Sequence, residues 1–445
     1  MTMKMTMNSI ARQLAVLALA VAFVGCGGSA PESAVEPTPG LTAFVGARLI
    51  VGTEGDGSVI ENGTLVVRDG RIEAAGASDS VETPADAEHV IDLAGKTIMP
   101  GLLNAHGHVG NVRGLESDPS FYTEDHVVHQ LGLYARYGVT TVFSLGGDGP
   151  EGLAVRDRQG ADLDHARLYA AGPVIVADTP EEAAERVNAA ADSGVDIIKI
   201  RVDDNLGSAT KMTPEVYKAV IATAHDRGLR VAAHLYYLDD AKGLLESGAD
   251  LVAHSVRDVA VDDELIALLK DNDVCYCPTL MREVSTYVYE SRPEWFDDPF
   301  FLKEADLAVI EELSSPARQE QTQNSSSAQT YKTQLETAKA NLMKVSEAGI
   351  GIAMGTNTGP AARFQGYFEH GELELMVESG LTPLQSIVAS TGEAAKCMEV
   401  DEELGTLEAG KWADFVVLGA NPLDDISNTK TIEAVWIAGN EVPGV

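Results

Sequence analysis

Two rhythms of hydrophobic and polar positions divide this chain. From Leu41 to about Ile98, apolar residues alternate with polar ones or fall in short runs, as in Ala43-Phe44-Val45, Thr64-Leu65-Val66-Val67 and Arg71-Ile72-Glu73-Ala74. Gly63, Asp69-Gly70 and Gly76 punctuate them, and Asp-Gly between two such runs predicts a β-hairpin. The C-terminal end has the same character. Trp412 to Leu418 and Ala434 to Ile437 predict strands, with a turn over Ala438-Gly439-Asn440-Glu441. We therefore expect one small composite β-sandwich domain built from both chain ends, residues 41–98 and 400–445.

Between these ends, over residues 99–399, strand and helix patterns alternate. The strand candidates are Leu102–His108, Val139–Ser144, Arg167–Ala171, Val195–Ile200, Arg230–Leu235, Asp250–Ser255, Val274–Leu280 and Gly351–Thr356. Helical stretches separate most of them, among them Pro180–Ser193, Pro214–Arg227 and Asp262–Asn272. Thr179 and Thr213 are good N-caps, each followed by proline at the first helical position. Eight β–α units over this length predict an α/β fold, a TIM-like (β/α)8 barrel, whose working residues sit at the C-terminal ends of the strands. Residues 281–344 break the rhythm with a long, polar, largely helical insertion that includes Trp295 to Phe301 and a soft stretch, Asn324 to Ala328. An insertion after strand seven sits above the barrel mouth, either as a substrate lid or as a solvated segment without a role.

The N-terminus changes the picture of where the protein works. Lys4 and Arg12 precede an apolar stretch from Leu14 to Val24, which meets Gly25-Cys26. A basic segment, a short apolar core and a small residue before the cut read as an export signal. Eleven residues from Leu14 to Val24 are too few to span a hydrocarbon core of ~30 Å. The Phe23-Val24-Gly25-Cys26 ending resembles a bacterial lipoprotein signal over residues 1–26, with Cys26 lipidated as the first mature residue. Phe23 stands where that motif usually has leucine, so plain cleavage remains open. Residues 27–40, with Pro31, Pro37 and Pro39, then read as a flexible tether. We expect an exported protein anchored to a membrane by lipid alone, facing the periplasm or cell surface, with a homo-oligomer open.

Composition narrows the partners. The 32 lysines and arginines stand against 68 acidic residues, a net charge of −36 over 445 residues, which argues against nucleic acid and for a small-molecule substrate. Among the cysteines after Cys26, Cys275 and Cys277 share a strand face and are badly placed to bridge each other. Cys397 stands alone. The spacing favours buried, inert thiols over a Cys-x-Cys metal site and implies no disulfide framework.

The chemistry gathers at predicted strand ends. His106 and His108 end the first strand, and residues i and i+2 of a strand share a face, so two imidazoles can grip one ion. Lys199 lies near the end of strand four, His234 ends strand five and His254 ends strand six. His126 and His129 fall in the following helix and read as surface or core positions.

The opening Pro100-Gly101-Leu102-Leu103-Asn104-Ala105-His106-Gly107-His108 and the closing Gly405-Thr406-Leu407-Glu408-Ala409-Gly410-Lys411-Trp412-Ala413-Asp414 both resemble signatures of the amidohydrolase superfamily of metal-dependent hydrolases, in particular its imidazolonepropionase-like and prolidase-like secreted members. The resemblance covers residues 41–445. It implies two divalent ions, His106 and His108 holding the more buried one and His234 and His254 the second. Lys199 would bridge them after carboxylation by carbon dioxide, since an ammonium has only donors. An ion pair of Lys199 with Asp203 or Asp204 is the other reading. Imidazole and oxygen ligands suit zinc, and also manganese, cobalt or iron. Paired ions would lower the pKa of a shared water and polarise the scissile carbonyl.

One position departs from the family. Its strand-eight aspartate, a metal ligand and proton shuttle, is here Asn357. An amide oxygen can touch a metal but is no carboxylate base, and losing a positioned base costs roughly 10²–10⁴-fold in rate. Either turnover is slow, or Asp203 or Asp204 takes the proton, or the site binds metal and ligand without turnover. For substrate contacts, Arg201, Arg257 and Arg363 follow strands four, six and eight, where a guanidinium could pair with a carboxylate or simply make surface ion pairs. Tyr236, next to Tyr237, lines the pocket or packs. Together with the resemblance, these residues point to an amide in a dipeptide or N-acyl amino acid; a lactone, ester or cyclic amide is the alternative.

Overall fold

Parallel strands in the middle of the chain close into a ring. The computed structural model describes residues 38–445; the expected signal segment with Cys26, and residues 27–37 of the expected tether, lie outside the described residues. Leu102–Gly107 pairs with Val139–Ser144, and that strand with Arg167–Ala170. A second run pairs Ile198–Arg201, Val231–His234, Leu251–Val252 and Cys275–Tyr276 in that order. The two runs are joined on one side by Asp196 N donating to Ala170 O at 2.9 Å. On the other side residues 351–358 bridge them, with Ile352 opposite Tyr276 and Thr358 opposite Gly107. The barrel interior is filled by small side chains, among them Ala105, Ala171, Ala232, Ala253 and Ala353, with Leu103, Phe143, Ile197 and Leu251.

Several strands are shorter than their apolar runs. Only Leu251–Val252 of the sixth and Cys275–Tyr276 of the seventh remain in the ladder. Beyond them the backbone turns to loop partners, such as Ser255 N on Pro278 O at 3.2 Å. The helices fall where expected, as Pro180–Asp192, Pro214–Asp226 and Asp263–Asp271. Thr179 Oγ1 accepts from Glu182 N, whereas the Thr213 side chain makes no capping bond.

The two chain ends share one sheet. Its order runs from Asn440–Glu441 through Ile432–Ile437, Phe415–Leu418, Thr97–Pro100, Thr38–Ile50 and Val59–Arg68 to Arg71–Ala77. Ala87–Asp92 forks off the long strand Thr38–Ile50, which therefore takes in residues 38–40 of the expected tether. Phe44 meets Phe415 and Trp436 edge-on, each at 5.0 Å, at the centre of a core drawn from both ends. Asp69 and Gly70 take φ of 49° and 81°, the positive angles that a two-residue hairpin needs to match strand twist. A buried bidentate pair, Arg167 Nε to Asp414 Oδ2 at 2.7 Å and Nη2 to Oδ1 at 3.2 Å, pins this sheet to the third barrel strand. Residues 38–445 accordingly pack as one unit.

The insertion is helical throughout, from Leu280–Tyr287 to the long Ser326–Glu347. Tyr289, Phe296 and Phe301 bury themselves against Tyr137 and against Ala362, Tyr367 and Phe368 from the loop and helix after strand eight. Among the described residues no helix is long and apolar enough to cross a membrane.

The cysteines differ from the expectation. Cys275 and Cys397 form a disulfide across a sequence separation of 122, and among the described residues Cys277 alone is free, and it is buried. The bond ties the seventh barrel strand to the helix Gly392–Cys397, a proximity that spacing alone does not reveal. Closing so long a loop restricts the unfolded chain, and losing such a bond costs about 2–5 kcal/mol. We expect Cys275→Ser and Cys397→Ser each to lower the thermal midpoint, and reductant to lower that of the wild type to match. Midpoints indifferent to both changes would show that the bond contributes nothing to stability.

Candidate metal centre

The first barrel strand reaches the rim through a break in register. Its pairing to the neighbouring strand slips between Asn104 and Gly107. Leu103 and Ala105 pack in the inner barrel core, yet His106, of opposite parity, also meets residues inside the barrel. Its Nε2 lies 3.1 Å from Lys199 Nζ, and its ring centroid 4.5 Å from that of His254. His108 follows at 5.5 Å from His106, and His234 lies 4.3 Å from His254. The four histidines and Lys199, drawn from strands one, four, five and six, therefore form one cluster.

One nitrogen of each ring is tied to the fold. His106 Nδ1 donates to Ala253 O at 2.7 Å and His108 Nδ1 to Gly146 O at 2.8 Å. His254 Nδ1 bonds Thr279 Oγ1 at 2.7 Å, and His234 Nε2 lies 3.3 Å from Asp203 Oδ2. The second nitrogen of His106 faces Lys199 and that of His254 faces Asn357. This is how metal-binding histidines are held, an outer acceptor setting both tautomer and ring direction. Burial keeps the rings neutral: it holds His106 and His254 well below the ordinary histidine value and brings His108 and His234 to about 4. A neutral imidazole keeps the lone pair that a cation needs. The donor set fits divalent metal.

Lys199 is 2% exposed, and burial lowers its pKa to about 7. Neither Asp203 nor Asp204 pairs with it. Asp203 faces His234 and accepts from Asn205 N at 3.2 Å, and Asp204 accepts from Tyr237 at 2.9 Å. Burial works upward on Asp203, but the bond and charge of His234 prevail and hold it at about 2.

Asn357 sits at the centre. Its amide nitrogen lies 3.4 Å from His254 Nε2, its backbone N donates to His106 O at 2.6 Å, and its φ is 56°. Behind it, Glu369 Oε1 receives Asn104 Nδ2 at 2.6 Å, Thr356 Oγ1 at 2.8 Å and Thr358 Oγ1 at 2.7 Å. That hub locks the histidine-bearing strand to the strand-eight turn, because Asn104 Oδ1 also accepts from His106 N. A Cβ on Gly355 would come within 2.5 Å of Cys277 Sγ and 2.8 Å of His106 Cβ, so glycine is required beneath the centre. Burial pushes the Cys277 thiol up, which leaves it an uncharged packing group.

The other named residues separate. Arg257 is fully buried, with Nη1 donating to Leu235 O and Ser255 O and its guanidinium 4.7 Å over the Tyr236 ring. Tyr236 in turn bonds Gln334 through its hydroxyl. Arg201 is half-buried, and its Nε has no partner. Arg363 reaches the centre, with Nη1 3.5 Å from Asn357 O. His126 turns away to Val112 O at 2.8 Å. The sequence reading missed Thr279, Glu369 and Asn104. Only Asn104, inside the opening motif, carried a signal.

A cavity of about 440 Å³ reaches Arg363 and Gly359 and has mixed walls, with Leu133, Phe301, Val309, Phe364 and Tyr367 beside Arg113, His126, His129, Glu304 and Asp306. Phe301, Glu304, Asp306 and Val309 come from the insertion, so that segment borders this cavity.

Comparison with known proteins agrees with this architecture. The amidohydrolase family model matches residues 97–442, and the chain belongs to that family, hydrolases of carbon–nitrogen bonds. The ochratoxinase of Aspergillus niger is 25% identical over 454 residues, covering 88% of this chain and 85% of that one. A putative prolidase from Bifidobacterium longum superposes with a TM-score of 0.72 at 28% identity, over 92% of this chain and 95% of the other. A Xaa-Pro dipeptidase solved with methionine in its active site gives 0.73 at 23% identity, over 90% and 99%. The superfamily generally uses divalent metals.

Thr279 offers a test of the outer anchoring. It is a β-branched residue at φ 50°, a conformation such residues seldom hold without a reason. Thr279→Val keeps its shape and removes the acceptor of His254. We expect metal affinity, measured by competition with a chromogenic chelator, to fall about 10–100-fold. Unchanged affinity would remove His254 from the metal site.

Proposed function

We propose that this protein hydrolyses an amide C–N bond in a dipeptide or N-acyl amino acid. The observation that carries the reading is the cluster of four histidines around Lys199, each ring tethered at its outer nitrogen. His106 and His108 would hold one divalent ion, His234 and His254 a second, and Asn357 would offer its amide oxygen. Bound ions supply Lewis acidity for the scissile carbonyl and lower the pKa of the attacking water. Zinc suits the set, and the likeness to ochratoxinase and a putative prolidase supports amide substrates.

Lys199 supplies the link between the two pairs of histidines. With a pKa of about 7, much of the amine is neutral at neutral pH and can add to carbon dioxide. A new N–C bond forms, one proton leaves, and the donor-only head becomes a carbamate with two anionic oxygens.

Asn357 sets the rate. It orients by accepting or donating hydrogen bonds but cannot carry the proton from water to the leaving amine. Asp203 and Asp204 are committed to His234 and Tyr237, which supports slow turnover over a relocated base. We also propose that the protein is exported and held to a membrane by lipid on Cys26; the Cys275–Cys397 disulfide supports an oxidising compartment.

The test is hydrolysis of a panel of dipeptides and N-acyl amino acids by protein supplied with zinc and bicarbonate. Measurable wild-type turnover is expected, with Asn357→Asp faster by about 10²-fold or more. A silent wild type beside an active Asn357→Asp would make this a binding site rather than an enzyme. Silence in both would overturn the amide-hydrolase reading.

A further inference from the structure

A second group of ligand atoms lies at the opposite end of the barrel, where strand seven begins and Gly351 leads into strand eight. Cys275 Sγ, Cys397 Sγ and a carboxylate oxygen of Glu393 all lie within 4.8 Å of one another. Glu393 and Cys397 belong to the helix Gly392–Cys397, and their i, i+4 spacing puts both on one face. Cys397 is buried, while Cys275 and Glu393 are half-buried. A cavity of about 450 Å³ opens onto the group, with Gly52, Gly351, Glu393, Lys396, Thr406 and Lys411 in its walls.

Gly351 marks a point between the three ligand atoms. A Cβ on it would stand 2.6 Å from Glu393 Oε1, 2.8 Å from Cys275 Sγ and 3.1 Å from Cys397 Sγ. Those distances are a little longer than zinc bonds to oxygen and sulfur, about 2.0–2.3 Å. The backbone does not call for glycine here, since Gly351 is not among the glycines of positive φ. Its missing side chain serves space alone. Glu393 is also poorly paired. Its oxygen meets Lys396 Nζ only at 3.7 Å, and that lysine side chain is 67% exposed, so the pair contributes little. A disulfide is neutral and gives a carboxylate nothing to oppose. Two thiolates and a carboxylate, by contrast, are the donor set of a borderline-soft divalent cation.

We propose that, when the Cys275–Cys397 bond is reduced, Cys275, Cys397 and Glu393 bind one divalent cation of the zinc type. The site is separate from the histidine cluster and does not depend on the hydrolase reading. A dithiol reductant supplies the two electrons. The S–S bond breaks, two S–H bonds form, and the reductant closes to its own disulfide. The ion then displaces the two thiol protons, as thiolate ligation requires, and water can take the fourth tetrahedral position. The ion restores the link that reduction removes, between strand seven and the helix Gly392–Cys397. Strand seven runs on to Thr279, the acceptor for His254, so either cross-link steadies the base of a strand that the histidine cluster uses.

The test is a cobalt(II) titration of zinc-loaded protein, oxidised and reduced, with the dithiol removed under argon before the metal is added. Thiolate ligands give cobalt a charge-transfer band in the near ultraviolet that imidazole and oxygen ligands do not. Cys277 is a free thiol in both states and cancels in the difference. We expect the reduced protein to gain this band at one cobalt per chain and the oxidised protein to show none. Glu393→Gln keeps the disulfide, and so remains informative where a cysteine variant unfolds. It should weaken cobalt binding about 10-fold or more, since losing even an outer partner of a ligand costs that much. A reduced wild type without the band overturns the proposal. So does an equal band in the reduced Cys275→Ser/Cys397→Ser double variant, which would assign it to Cys277. Affinity unchanged in Glu393→Gln overturns the three-ligand site.

Discussion

The centre depends on hydrogen bonds made away from it. Each imbalance of a buried imidazole, one nitrogen protonated and one not, is resolved by an acceptor on a neighbouring strand or loop: Ala253 O, Gly146 O, Thr279 Oγ1 and the Asp203 carboxylate. These acceptors choose the tautomer and aim the remaining lone pairs inward. Remove them and the same four side chains would be mobile rings in an alanine-lined barrel. The ring of strands earns its functional meaning here, because the acceptor for a histidine on strand one comes from strand six.

The rest of the fold holds those acceptors in register. The Glu369 hub joins the first strand to the strand-eight turn through Asn104, Thr356 and Thr358. The Arg167–Asp414 pair fixes the composite sheet to the third barrel strand. Aromatic residues of the insertion pack on the loop that carries Arg363. Function and stability therefore draw on the same contacts at the rim, where a charged network crosses an otherwise apolar body.

Much of this was legible in the chain. The alternation at both ends announced the shared sheet, Asp69-Gly70 announced its hairpin, and the apolar runs ending in histidine announced the rim. What was illegible depends on distance in sequence or on local backbone. Cys275 and Cys397 meet only because strand seven and the helix after strand eight are neighbours. Arg257 and Arg363 occupy similar positions after their strands, yet one is consumed by backbone carbonyls and the other reaches the centre. Parity alone would have turned His106 away from the interior, and the register break after Asn104 is what brings it in. Thr279 gave no sign, since its role arises from a left-handed turn that places its hydroxyl against His254.

Crystals grown with zinc and bicarbonate and measured at the zinc absorption edge show whether these residues hold divalent metal. We expect two anomalous peaks among His106, His108, His234 and His254, with added density on Lys199 Nζ. Zinc peaks only elsewhere on the molecule, or none within this cluster, would rule out a metal centre here.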